Sequence, residues 1–164
     1  MRESTLLATN NISSTYRGYR RQALYVLWRL LTDEHGSRRV YQPEGDEDLA
    51  VFDTSNHLLQ VVQVKDYSSP LTLSDLKPDS ADGFFARMHR RLAAHPGCEV
   101  WIASFGQIGL ELAGAFSTPG PLRTTVARKL AAKNPAIPAA TFEHLLAALH
   151  GRVVHPNEAL LRAE

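Results

Sequence analysis

Gln63-Val64-Lys65 closes the apolar run Leu58-Leu59-Gln60-Val61-Val62, and Glu44-Gly-Asp-Glu-Asp48 lies one hairpin upstream. Brought to one point, these segments offer carboxylates, an amide oxygen and an ammonium. Metal-assisted phosphodiester hydrolysis uses such groups, because a divalent ion must activate water and absorb charge. Oxygen ligands with retained waters suit Mg²⁺, with Mn²⁺ as a substitute. Asp48 is the main expected ligand, Glu44 or Glu47 a second carboxylate, Val64 a backbone carbonyl ligand and Gln63 a neutral oxygen. Lys65 is expected to orient the attacking water and to stabilise charge growing on the phosphate. A Gln-x-Lys at a strand end is also common surface chemistry, and acidic clusters are often solvated loops, so the elements that carry these residues decide between the readings.

Side chains alternate across a strand, so Val61, Gln63 and Lys65 share one face and Val62 and Val64 the other. Strands are expected at 38–42, 48–53 and 58–65, the last two joined as an antiparallel hairpin through Thr54-Ser55-Asn56-His57. An antiparallel return sets Asp48 beside Gln63 and Lys65. Before the hairpin, Ala23, Leu24, Leu27, Leu30 and Leu31 recur at three- and four-residue spacing, which predicts an amphipathic helix over 18–32. Residues 1–15 are polar and aperiodic and read as part of a flexible arm (1–17). A helix entry at 73–76 is interrupted by Pro78. The next helix, 81–94, carries Phe84, Phe85, Met88 and Leu92 on one side and Arg87, Arg90 and Arg91 largely on the other. Glu99 to Phe105 reads as the last strand, and short helices follow at 107–117, 121–133 and 139–150. The expected architecture is α/β: a four-stranded mixed sheet flanked by helices, with a core over 18–118 and a C-terminal helical appendage over 119–164.

At these residues the chain resembles the restriction-endonuclease-like, or PD-(D/E)xK, nuclease superfamily. More narrowly it is similar to the double-stranded DNA endonuclease domain at the N-terminus of bacterial antiphage effectors, including those linked to STAND NTPases or associated with CD-NTases. The matching segments are Gly18-Tyr-Arg-Arg-Gln22, Glu44-Gly-Asp-Glu47-Asp48-Leu49 and Gln63-Val64-Lys65, and the likeness runs from about residue 18 to Phe105. It implies a restriction-endonuclease-like sandwich and Mg²⁺-dependent cleavage of double-stranded DNA with Asp48, Gln63 and Lys65 at the centre and Glu44 close by. Gln63 departs from the superfamily, where most members have Asp or Glu, and an amide holds Mg²⁺ less strongly than a carboxylate. Gln22 is an accessory candidate that could turn toward the site, as is Glu47. The alternative is a catalytically inert nuclease-like scaffold that binds DNA or protein.

Composition bounds these readings. With 164 residues and 44% hydrophobic content, the chain can bury one core. Its net charge of +1 hides segregation: residues 1–43 hold seven basic and three acidic groups, 44–82 two and nine, and 83–164 nine and five. Arg17, Arg20 and Arg21 beside Tyr16 and Tyr19 read equally as a phosphate-contacting patch or as ordinary basic surface, and Arg87, Arg90 and Arg91 as a second backbone grip. One cysteine, Cys98, excludes an internal disulfide framework, and no stretch approaches the ~20 apolar residues of a membrane span. A soluble, cytoplasmic protein is expected. No Gly-x-x-x-x-Gly-Lys-(Ser/Thr) occurs, so a sensor or NTPase region is expected in a missing C-terminal part or a partner chain. Cutting both strands takes two sites, so a homo-oligomer is expected. Trp28, Trp101 and Cys98 read as core residues, and no His is assigned a role.

Overall fold

The computed structural model describes residues 3–35, 38–43, 47–67, 69–117 and 120–153; the side chains of residues 3–17, 117, 152 and 153 fall outside that description. Helix α1 (Glu3–Thr32) leads into strands β1 (Arg39–Pro43), β2 (Leu49–Asp53) and β3 (Leu58–Lys65). A single 3₁₀ turn at Ser74–Leu76 precedes helix α2 (Phe84–Ala94) and strand β4 (Glu99–Ser104). Helices α3 (Leu110–Ser117), α4 (Pro121–Lys133) and α5 (Ala139–Ala148) then lead to strand β5 (Leu149–Val153).

The sheet is mixed and has five strands in the order β1-β2-β3-β4-β5, one more than the sequence predicts. The first three strands are antiparallel, and β4 and β5 add in parallel. Residues 149–150 were expected to end the last helix, because Leu149 continues the spacing of Phe142, Leu145 and Leu146. Instead Leu149 turns extended (φ −86°, ψ 126°) and pairs beside Val100. No Gly or Pro marks that change, but Gly151 permits it, since a Cβ there would lie 2.7 Å from the Phe116 ring.

Alternation on the central strands separates two apolar layers. On one face Leu49, Val51, Val62, Val64 and Ala103 meet Tyr25 and Val26 of α1, with Trp28 and Trp101 partly buried against them. On the other, Ala50, Val61, Val100 and Ile102 meet Phe84, Phe85 and Met88 of α2 and the apolar sides of α3, α4 and α5. The last three helices thus form the crossover between β4 and β5 and contribute to the main core, although α4 and α5 had been expected as an appendage. Cys98 is a buried free thiol in this layer.

Two further differences concern α1. The helix begins at Glu3, so residues expected within an arm belong to it. Its Leu27, Leu30 and Leu31 are exposed, while Tyr25 and Val26 are buried. The apolar spacing finds the helix, but the stripe it marks faces away from the sheet. Among the described residues no helix is long and apolar enough to cross a membrane.

Helix α2 is aimed at the end of β3 by a tight entry. Lys77 adopts a left-handed conformation (φ 49°), and the chain folds back so that a Cβ on Gly83 would lie 2.0 Å from the Lys77 carbonyl oxygen. Gly83→Ala must move that backbone, at the ~1–3 kcal/mol typical of overpacking; thermal unfolding is expected to show a lower Tm than wild type.

Candidate active site

The hairpin sets the geometry. Leu49 lies opposite Val62, so the next step of the antiparallel register puts Asp48 opposite Gln63. Asp48 immediately precedes β2, and groups from α1 and β3 reach it. From α1, Gln22 Nε2 donates to Asp48 Oδ1 at 2.6 Å. From β3, the Val64 N–H donates to Oδ2 at 2.6 Å, and the Gln63 side-chain amide donates to the same oxygen. The structure thus brings together Asp48, Gln63 and Gln22, three of the residues expected at the site.

The Gln63 amide is polarised between two charges. Its NH₂ faces Asp48, and its Oε1 accepts from Arg87 Nη2 at 2.9 Å. Arg87 also holds Glu47 through paired bonds, Nε to Oε1 at 2.8 Å and Nη2 to Oε2 at 3.0 Å, and donates to the Asp82 carbonyl. A forked guanidinium matches a carboxylate in this way. Glu47, whose side chain is 2% exposed, is therefore neutralised by Arg87. Sequence reading placed Arg87 on a DNA-gripping face; the fold turns it into the site. The clue available was its position three residues after Phe84, which puts it beside the apolar side of the helix.

Lys65 points to the same face as Gln63; its carbonyl accepts from the Phe105 N–H at 2.9 Å, while its ammonium makes no ion pair or hydrogen bond with another described residue. Burial pushes its ammonium below the usual lysine range, with attraction from Asp48 opposing the shift. Burial likewise pushes Asp48 above the usual carboxylate range, against the hydrogen bonds from Val64 and Gln63 and the charge of Lys65, with Glu47 adding repulsion. Both groups carry their charges at a desolvation cost, a common property of functional sites.

The other expected residues are dispersed. Arg21 lies over the Phe105 ring, 4.9 Å from its centroid, and approaches Asp66 at 3.9 Å. Arg20 is exposed on α1, and Arg90 pairs with Asp82 at 3.5 Å and donates to the Ala81 carbonyl. Arg91 is half-buried near the end of α2. Glu44 and the Arg17 side chain lie outside the described residues. Among the described residues no three His, Cys, Asp or Glu side chains group as a metal cluster. The oxygen donors near Asp48 are its own carboxylate, the Val64 carbonyl and, after the amide turns over, Gln63 Oε1. Strand alternation supports the second of these, because the side of β3 that presents the Val64 N–H to Asp48 also presents its carbonyl.

Two stability measurements probe this arrangement. A depressed lysine pKa contributes stability only above the unfolded value near 10.4, and that contribution is lost as pH falls through the folded value. At neutral pH the buried ammonium is therefore a cost. Lys65→Met is expected to raise Tm at pH 7 by about 2–4 °C for each kcal/mol recovered, with the advantage shrinking as pH rises through the lowered folded value and gone above about 10.4 in a pH series of thermal melts. Glu47→Ala is expected to cost about 3 kcal/mol by urea unfolding, the low end for a broken buried pair because Arg87 remains about a third exposed.

With the geometry in hand, comparison with protein-family models, curated proteins and solved structures gives no match to the chain.

Proposed function

We propose that the chain is a metal-dependent DNA endonuclease of the restriction-endonuclease-like type, cleaving double-stranded DNA without sequence specificity. One observation carries the reading: Asp48, Gln63 and Lys65 converge at the open end of β3, with Val64 bound to the same carboxylate. The donor chemistry fits Mg²⁺ or Mn²⁺, held by Asp48, the Val64 carbonyl and Gln63 Oε1 once its amide turns, with Glu44 as a further carboxylate. When bound, such an ion supplies an activated water and absorbs charge on the phosphate.

The chain's own groups have separable tasks. Gln22 and the Val64 N–H fix the direction of the Asp48 carboxylate. Lys65 offers a desolvated ammonium beside it, suited to stabilise a phosphate oxygen and, with its lowered proton affinity, to exchange a proton with water. Arg87 compensates Glu47, so the local charge is set by Asp48 and Lys65. The exposed Arg90 guanidinium is available to the DNA backbone. The sequence resemblance adds the biological setting: a cytoplasmic effector domain of a bacterial antiphage defence protein, its sensor or NTPase region elsewhere in a longer chain or in a partner, and an oligomer as its active state.

A second reading, an inert nuclease-like scaffold, is favoured by one specific feature. Both Asp48 oxygens already accept protein hydrogen bonds, and the Gln63 oxygen is turned to Arg87. Incubation of plasmid with the purified protein and Mg²⁺ or Mn²⁺, with oligomeric state monitored, separates the two. Nicked and linear products are expected, abolished in Asp48→Ala and reduced about 10²–10³-fold in Lys65→Ala. Cleavage that survives both substitutions removes the assigned site, and DNA binding without cleavage in every assembled state establishes the scaffold.

A further inference from the structure

Helix α1 is apolar on two opposite sides. Tyr25 and Val26 are buried against the sheet, yet the reverse side carries Tyr19, Ala23, Leu27, Leu30 and Leu31, with Leu27 45% and Leu31 61% exposed. The outward face of a helix on a self-sufficient domain is ordinarily polar. Beside this stripe lies a depression of about 290 Å³ lined by Tyr19, Ala23, Val26, Leu27, Leu30 and Pro43, with Gln22 and Asp48 in its wall.

We infer that this face is a homodimer seam in which two copies of α1 pair antiparallel about a two-fold axis at Leu27. The arrangement of residues around Leu27 identifies a second copy as the occupant. In a two-fold antiparallel pair, a residue a given number of positions before the centre meets the residue the same number after it. Arg20 is seven before Leu27 and Glu34 seven after, so each end of the seam would place Arg20 against Glu34 of the other copy. Both are exposed, and neither is ion-paired with another described residue. Ala23 is four before and Leu31 four after, so a small residue meets a large one and lets the helices approach closely. A parallel pairing would set Arg20 near Arg20 and forfeit both matches.

The seam spans about four helical turns, smaller than a standard protein interface, so association is concentration-dependent. Since Gln22 and Asp48 line the same depression, the partner's helix lies at the margin of the carboxylate site. The inference rests on the packing of α1 and stands whether or not the chain cuts DNA.

Sedimentation velocity on the full chain over a concentration series tests it. Wild type is expected to shift from monomer to dimer, and Leu27→Asp to stay monomeric with an unchanged Tm because its side chain is already half in water. Arg20→Glu is expected to weaken the dimer about tenfold by setting like charges together, and Arg20→Glu/Glu34→Arg to restore it. Leu27→Cys is expected to form a disulfide-linked dimer on mild oxidation, faster than Leu122→Cys, an exposed control on α4. A wild type that is monomeric throughout, a dimer that survives Leu27→Asp, or a charge exchange that fails to restore association overturns the proposal. Monomeric protein that co-sediments with phosphatidylcholine vesicles through Leu27 assigns the stripe to lipid and overturns it as well.

Discussion

Burying an ionised carboxylate costs several kcal/mol unless fixed dipoles and opposite charge replace its water, and the placement of Asp48 puts that demand at the junction of the fold. The compensating groups come from separate stretches of chain: the Gln22 amide from α1, the Val64 N–H and the Gln63 amide from β3, and the Lys65 charge one step further along that strand. Meeting the demand therefore fixes the hairpin register and the position of α1 over the sheet. Through Gln63 the requirement passes to Arg87 and so to α2, which couples both helical layers to one carboxylate.

The contrast between Asp48 and Glu47 follows from their partners. Glu47 meets a guanidinium in forked geometry, so its charge is cancelled where it lies. Asp48 receives neutral donors and a lysine that is itself desolvated, so neither charge is fully compensated. One acidic residue acts as a brace and the next keeps an incompletely compensated charge, although they are adjacent in sequence. Gln63 separates the two electrostatic environments, because an amide can donate to the carboxylate and accept from the guanidinium at the same time.

Much of this was legible because it depends on local periodicity. The bounds of β3 were read correctly from the apolar run, and the hairpin predicted the juxtaposition of Asp48 with Gln63. The polarity of α1 was not legible, since the spacing of Leu27, Leu30 and Leu31 is identical whether a helix faces a sheet or a partner. Only the burial of Tyr25 and Val26 shows which side meets the core. Arg87 was misplaced for a related reason: a helical wheel gives its direction but not Glu47, forty residues earlier in the chain. The strand β5 was hidden because the helix before it ends at Ala148 with no Gly or Pro directly after it, and its extended path is dictated by the edge of β4.

That last strand affects how the molecule is made. Parallel addition of β5 to β4 requires α3, α4 and α5 to be spanned first, so the edge of β4 stays open while about forty residues emerge behind it at the 5–20 residues per second typical of synthesis. For those seconds an unpaired strand edge, flanked by Val100 and Ile102, can template pairing with a neighbouring chain. The vulnerable interval in the life of this protein is thus its biosynthesis, and the segment that closes it is one of the last parts of the described sheet to leave the ribosome.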